Sequence, residues 1–291
     1  ARGDAETATA LRARADAYVA AVEEHGWDGE WYRRAYFDDG TPLGSATNVE
    51  CRIDAIAQSW SVISGAGDPA RQARAMRALD EHLVRDDAGV IMLLTPPFDE
   101  MPQDPGYIKG YLPGVRENGA QYTHAALWAI LAHCRLGHGE RAVELFRMIN
   151  PLMHAATPEG VARYKVEPYV VAADVYTADG QLGRGGWTWY TGSASWMYRV
   201  ALEAILGFEK HGDRLRIRPC VPSSWPELSI DYRFGRSNYH ITVRSPGLVR
   251  PGEAVITLDG LRVEGEAIPL TDDGRTHEVV VTPTRVITET R

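Results

Sequence analysis

Cysteine is scarce in these 291 residues: the three present, Cys51, Cys134 and Cys220, are odd in number, far apart and without metal-ligand spacing. That argues against a disulfide framework or a zinc site and predicts buried free thiols in a reducing compartment. Basic runs are missing as well. With a formal net charge of −8 and no lysine- or arginine-rich stretch, the chain lacks the electrostatic footprint of a nucleic-acid binder, and a neutral polar substrate suits it better. No apolar run reaches membrane-spanning length and no basic-then-apolar signal pattern opens the chain, which predicts a soluble portion. A nucleophilic serine elbow, a Walker loop, an HExxH pattern and a dinucleotide fingerprint are absent too. The chain starts at Ala1, without an initiator methionine and inside what reads as a helix, so a piece of a longer protein is expected.

What is there is globular, 44% hydrophobic and 24% charged, enough for one large domain or two unequal ones. Leu11, Ala15, Tyr18 and Val22 recur at helical spacing before Gly26, and Ile53, Ile56, Ala57, Trp60 and Ile63 give a second helix. Asp68-Pro69 opens a third that should bury Ala73, Met76, Leu79 and Leu83. Residues 123–136 are nearly continuous apolar, and 139–149 are amphipathic up to Pro151. Helices in successive pairs, inner members apolar all round and outer ones one-sided, predict a mainly α helical toroid. Between Gly89 and Tyr122 a long proline-rich segment holds Phe98, Tyr107, Tyr111 and Leu112, which predicts a packed loop over a site rather than disorder. After about Lys210 the pattern changes to period-two alternation, as in Tyr239-His240-Ile241-Thr242-Val243 and Glu278-Val279-Val280-Val281. The expected division is therefore 1–209, helical, and 210–291, a small β-sandwich that caps it.

The densest chemical signal is Trp187-Thr188-Trp189-Tyr190-Thr191-Gly192-Ser193-Ala194-Ser195-Trp196, a tryptophan-rich polar segment that runs into a helix over 193–206, apolar almost all round. Thr191 is its natural N-cap. A helix start presents unpaired N–H groups and partial positive charge, which suits phosphate or sulfate, and Gly192 lets an anion approach the backbone. Taken alone, Thr191 reads as an ordinary cap on a core helix; the three nearby tryptophans favour the ligand reading. Arg116-Glu117-Asn118-Gly119-Ala120-Gln121-Tyr122-Thr123-His124 crowds a cation, a carboxylate, amides, a phenol and an imidazole just before a buried helix. Carboxylates and amides beside aromatics are the usual equipment for sugar hydroxyls, so Glu117, Gln121 and Tyr122 are candidate sugar ligands. His124 could add a charge-assisted bond to phosphate, or be a satisfied core histidine. Trp187, Trp189 and Tyr190 are candidate stacking platforms, with Trp196 in the core. Tyr164-Lys165-Val166-Glu167-Pro168-Tyr169 places a further carboxylate among aromatics, and Asn48, Glu50, Arg52, Asp54, Gln58 and Ser59 flank the second helix, either lining the same cavity or simply solvating a helix end.

These stretches, with Trp27-Asp28-Gly29-Glu30-Trp31-Tyr32-Arg33-Arg34-Ala35-Tyr36, Ile56-Ala57-Gln58-Ser59-Trp60 and Pro105-Gly106-Tyr107-Ile108-Lys109-Gly110-Tyr111, occur in one order along essentially the whole chain. In that order they resemble the C-terminal half of glycoside hydrolase family 94 phosphorylases, most nearly the phosphorylase-like end of bacterial cyclic β-1,2-glucan synthases. The resemblance implies part of an (α/α)6 barrel followed by a β-module, and inverting phosphorolysis of a β-glucosidic bond, with inorganic phosphate as nucleophile and no cofactor. It implies that His124 and the Thr191-Gly192 pair hold phosphate and that Glu117 meets the sugar at the cleavage point. The family's general acid is an aspartate in an Asp-Trp-Asn-Asp-Gly-like segment, which this sequence does not contain. The chain alone is therefore expected to be inactive, with the acid on an N-terminal part of the same polypeptide. The parent so implied is an inner-membrane protein with this region on the cytoplasmic side. Two other readings stay open: a free-standing 1,2-β-oligoglucan phosphorylase, or a non-catalytic glucan-binding or assembly module.

Overall fold

A computed structural model describes residues 3–189, 191–249 and 254–284. The chain divides into two compact units, one of Ala1–Leu136 with Phe146–Trp196 and the other of Gly137–Leu145 with Met197–Arg291. The sequence places the change of pattern at 210. The short segment 137–145 belongs with the later residues because Gly139 is pressed against Val221, where a Cβ would stand 2.4 Å from the carbonyl oxygen, and the Glu140 carboxylate accepts from the Ser223 N–H at 3.0 Å.

The first unit is helical, with short strand pairs that staple its loops. Helix α1 (Ala5–Ala21) starts at Asp4, whose carboxylate accepts from the Thr7 N–H at 3.0 Å. Its apolar spacing predicts a buried face, yet α1 has no buried residue and Leu11 and Tyr18 stand exposed. Helix α2 (Ala55–Ile63) is capped by Asp54, which accepts from Ile56 N–H at 2.8 Å and also pairs with Arg34. Asp68 and Pro69 open α3 (Pro69–Leu83), which buries Met76, Leu79 and Leu83 as its spacing predicts. Helix α4 (Thr123–Arg135) is buried along most of its length and packs on α2. Then come α5 (Gly139–Met148), most of which belongs to the second unit, α6 (Pro151–His154), α7 (Pro158–Tyr164) and α8 (Thr191–Arg199), whose last residues also belong to the second unit, eight α-helices among the described residues.

The long proline-rich segment is packed, as its aromatic content predicts. Phe98 and Ile108 share a core with Leu43, Cys51 and Leu94. The Asn118 amide donates to the Phe98 and Tyr111 carbonyls at 2.8 Å and accepts from the Phe98 N–H at 2.7 Å. Glu50 accepts from the N–H groups of Asp99, Glu100 and Met101. Both side chains are thus spent on bracing the loop. Burial pushes the Cys51 thiol well above its usual range; none of the three cysteines is in a disulfide, and Cys134 and Cys220 are half-buried rather than buried as expected.

The second unit carries the strands. A three-stranded sheet joins Phe208–His211, Arg214–Ile217 and Ile268–Pro269. In the five-stranded sheet, Glu227–Phe234 and Ser237–Arg244 form a hairpin. Thr276–Pro283 lies parallel to Ser237–Arg244 and antiparallel to Ala254–Leu258, beyond which comes Leu261–Arg262. Alternate residues Tyr239, Ile241, Val243, Val279 and Val281 are buried in its core, the period expected of strands with one covered face. The whole is mixed α and β rather than mainly α. Helix α8 also differs from expectation: it is not buried all round, since Ala194, Ser195 and Tyr198 are exposed while Ser193 and Met197 are buried. A wider helical turn at Val200–Ile205 continues it, and Gly207, with φ of +70°, ends it against Arg218.

Candidate functional site

Three loop segments of the first unit meet beside α4. Gln121–Tyr122 pairs with Asp174–Val175, setting Tyr122 opposite Asp174. Asp174 then captures the third segment: its Oδ1 accepts from the Trp187 N–H at 3.0 Å, and its carbonyl accepts from Gly186 N–H at 2.9 Å. Glycine is required at 186, because a Cβ there would lie 2.6 Å from both Asp174 carboxylate oxygens.

Around this junction the titratable groups are enclosed, and two carboxylates keep an oxygen without a hydrogen-bond partner. The Arg116 guanidinium lies over the Trp187 ring at 4.7 Å and over Tyr111 at 5.3 Å, a cation–π sandwich, with its Nε 3.6 Å from Glu117 Oε2. Glu117 Oε2 and Asp174 Oδ2 are buried without a hydrogen-bond partner. Burial raises the Asp174 pKa; the Trp187 N–H and Arg116 oppose that shift, and Glu117 adds to it. Two carboxylates with spare acceptor oxygens around one guanidinium can take hydroxyl donors from a sugar.

Beside them the Tyr122 ring stacks on His124, centroids 5.3 Å apart and planes at 19°. His124 meets Trp128 edge to face, and Trp128 in turn meets Trp60 and Trp196. Burial lowers the His124 pKa, so the ring is neutral at pH 7, and its buried Nδ1 has no partner. Its other nitrogen faces the start of α8: a Cβ on Gly192 would lie 2.5 Å from His124 Nε2, so only glycine lets the two approach. Trp187 and Trp189 are 54% and 69% exposed, consistent with platforms rather than core. Trp189 adopts a left-handed backbone, φ +61°, and its indole donates to Glu167 Oε1 at 3.1 Å.

The structure therefore brings together Tyr122, His124 and Gly192, and sets Glu117 with Arg116, Asp174 and Trp187, the two clusters being joined by the pairing of Tyr122 with Asp174. Gln121 departs from the sugar-ligand expectation, because its side chain is 1% exposed and its amide oxygen accepts from Ile91 N–H at 3.1 Å. It fastens two loops. Tyr190 lies outside the described residues, and Thr191 is placed as the first residue of α8. Asp174 was not anticipated; the signal available was one carboxylate inside the otherwise apolar run Val170-Val171-Ala172-Ala173-Asp174-Val175. No group of three histidine, cysteine, aspartate or glutamate side chains is arranged for a metal ion among the described residues, and no helix among them is long and apolar enough to cross a membrane.

Residues 1–207 match the Glycosyl hydrolase 94 superfamily, catalytic domain, and the chain belongs to that family. Among its relatives, cyclic beta-(1,2)-glucan synthase NdvB of Rhizobium meliloti is 53% identical over 239 residues, 82% of this chain and 8% of that protein. Solabiose phosphorylase of Paenibacillus borealis is 35% identical over 262 residues, and N,N'-diacetylchitobiose phosphorylase of Vibrio proteolyticus is 33% identical over 264. The chain spans 34% and 32% of those two phosphorylases while they cover 90% of it.

Proposed function

We propose that the chain is the C-terminal part of a β-1,2-glucan phosphorylase domain, built on part of an (α/α)6 barrel that is followed along the chain by a β-sandwich module. In this reading the N–H groups that open α8 at Thr191 and Gly192, with an N–H of the neutral His124, cradle inorganic phosphate. Phosphate then attacks the anomeric carbon from the face opposite the leaving oxygen, with inversion. A single carboxylic acid suffices, since phosphate replaces the activated water of an inverting hydrolase. That acid comes from residues outside these 291. Glu117 binds hydroxyls of the glucose unit at the cleavage point, Tyr122 orients His124, and Trp189 and Tyr190 form the approach. Phosphorolysis would trim linear glucan and set chain length in a cyclic β-1,2-glucan synthase, an inner-membrane parent with this domain on its cytoplasmic side.

The observation that carries the reading is the approach of His124 Nε2 to Gly192, which joins an imidazole and a helix N-terminus at one point. The test is phosphorolysis of β-1,2-glucooligosaccharides by a chain extended upstream to include the acid-bearing segment. Release of glucose 1-phosphate is expected there, with a rate lower by ~10² to 10⁴ or more when that segment is left off. No glucose 1-phosphate from the extended chain sinks the reading. The exposed Trp187 and Trp189 also support a plain glucan-binding module. Oligosaccharide affinity indifferent to phosphate, together with absent turnover, would favour that alternative.

A further inference from the structure

A second concavity lies between the turn at 86–89, α6, α7 and Gly183, with a volume of about 290 Å³. None of its lining residues belongs to the 116–124 or 187–192 segments. Its floor is the buried Tyr164, on which the half-buried His154 ring lies flat, centroids 4.8 Å apart and planes at 10°. The His154 Nε2 is buried with no hydrogen-bond partner, an uncommon and destabilising arrangement that a ligand would relieve. Desolvation, assisted by the nearby Arg163 charge, lowers the His154 pKa, so at neutral pH the ring is uncharged, with one N–H and one lone pair.

The backbone is drawn tightly around this ring. A Cβ on Gly89 would stand 3.2 Å from His154 Cε1, one on Gly160 2.4 Å from the His154 carbonyl oxygen, and one on Gly183 2.7 Å from Arg163 Cδ. Gly89 and Gly183 also have positive φ, so a side chain at either would be strained as well as obstructed. Arg163 contributes donors, Asp86 and Glu159 acceptors, and Met148 and Met153 an apolar surface. With Asp87 also present, carboxylates outnumber the single guanidinium, which disfavours a free anion, and no three-ligand metal group exists among the described residues. A neutral polyhydroxy ligand fits every part, since each hydroxyl both donates and accepts while the carbon face packs on thioether. The volume lies near the small end of ligand pockets, about 300 Å³, and suits one ring rather than a chain.

We infer that this cavity is an accessory carbohydrate site for a single hexose unit, with His154 Nε2 and the Arg163 guanidinium as its hydrogen-bonding centre. The inference does not depend on the phosphate reading. The 291-residue chain, carbon-13 labelled at histidine, is titrated separately with glucose, with β-1,2-linked glucobiose, with glycerol and with inorganic phosphate. Saturable movement of the His154 ring signals is expected with the two sugars. Movement with phosphate alone, equal movement with glycerol at equal concentration, or none with either sugar overturns the proposal. The His124 signals, read in the same spectra, report the phosphate reading, so either can fail without the other. His154→Phe keeps the ring on Tyr164 but removes both nitrogens: sugar affinity should fall on the order of tenfold while the ligand-free melting temperature rises. A lower melting temperature with unchanged sugar affinity would make that nitrogen structural and end the proposal. Arg163→Met, an exposed position whose replacement leaves the ring in place, should cost a similar factor in affinity; full affinity in that variant also counts as refutation.

Discussion

His277 and His124 are both enclosed imidazoles, one in each compact unit, and their surroundings are opposite. His277 is 3% exposed and has both nitrogens engaged, Nδ1 with Asp259 at 2.8 Å and Nε2 with Asp273 at 3.1 Å, its ring stacked on Tyr239. The hydrogen bond to Asp259 chiefly, then that to Asp273, raises its pKa. Ser237 completes the arrangement, donating to Asp273 and accepting from the N–H groups of Asp273 and Gly274. His124 has a neutral ring, an unpartnered Nδ1, and a helix start against Nε2. The first histidine has nothing left to offer a ligand. The second keeps hydrogen-bonding capacity that folding has not used, as do Glu117 and Asp174 beside it. Unsatisfied polar atoms on adjoining segments mark a binding place more sharply than residue type does.

Gly192→Ala should sharpen the contrast most. The added methyl would stand 2.5 Å from His124 Nε2, and displacing the ring by roughly 1 Å should cost on the order of 10²-fold in phosphorolysis by the extended chain. Full activity would show that the approach is incidental. Next comes His277→Phe, which removes both hydrogen bonds of a buried ring to partly exposed aspartates and should lower unfolding free energy in urea by about 1 to 3 kcal/mol. Gly186→Ala forces a methyl onto the Asp174 carboxylate and should cost about 1 to 3 kcal/mol by the same measurement. His124→Phe should cost under about 1 kcal/mol, because no buried hydrogen bond is broken. If the two Phe variants proved equally damaging, the comparison would be wrong.

The smallest effect expected is in pH dependence, and its signs differ. Burial depresses His124 and His154, so their unfolded forms bind protons first and stability falls as pH drops below the ordinary value of 6.5. His277 is raised, so its contribution is fully present below 6.5 and is lost as pH rises through its folded value. Melting scans between about pH 5.5 and 8 should show the first slope vanish in His124→Phe with His154→Phe, and the second in His277→Phe. Slopes of the same sign for both sets would contradict the assigned environments.

Much of this was legible in the sequence where local rules act alone. Asp54 and Asp68 announce α2 and α3 because a cap is a short-range hydrogen bond, and period-two runs such as 239–243 and 278–281 became strands because one face is buried. The failures are tertiary. Leu11 and Tyr18 have helical spacing, but spacing says only which residues share a face, and nothing among the described residues covers that face. Gln121 carries the chemistry of a sugar ligand, yet strand pairing with 174–175 turns it inward to Ile91. Asp174 went unseen because its importance lies in a partner thirteen residues away.

The parallel pairing of Ser237–Arg244 with Thr276–Pro283 constrains how the β-unit assembles. The hairpin 227–244 can zip from its own turn, whereas its parallel neighbour must wait for the intervening chain to fold back, an entropically slow closure. Because Thr276–Pro283 sits between that hairpin and Ala254–Leu258, the two halves of the sheet share no ladder until it docks. Deleting this strand would leave a hairpin and a stray ribbon, each with an open edge on which another molecule could add.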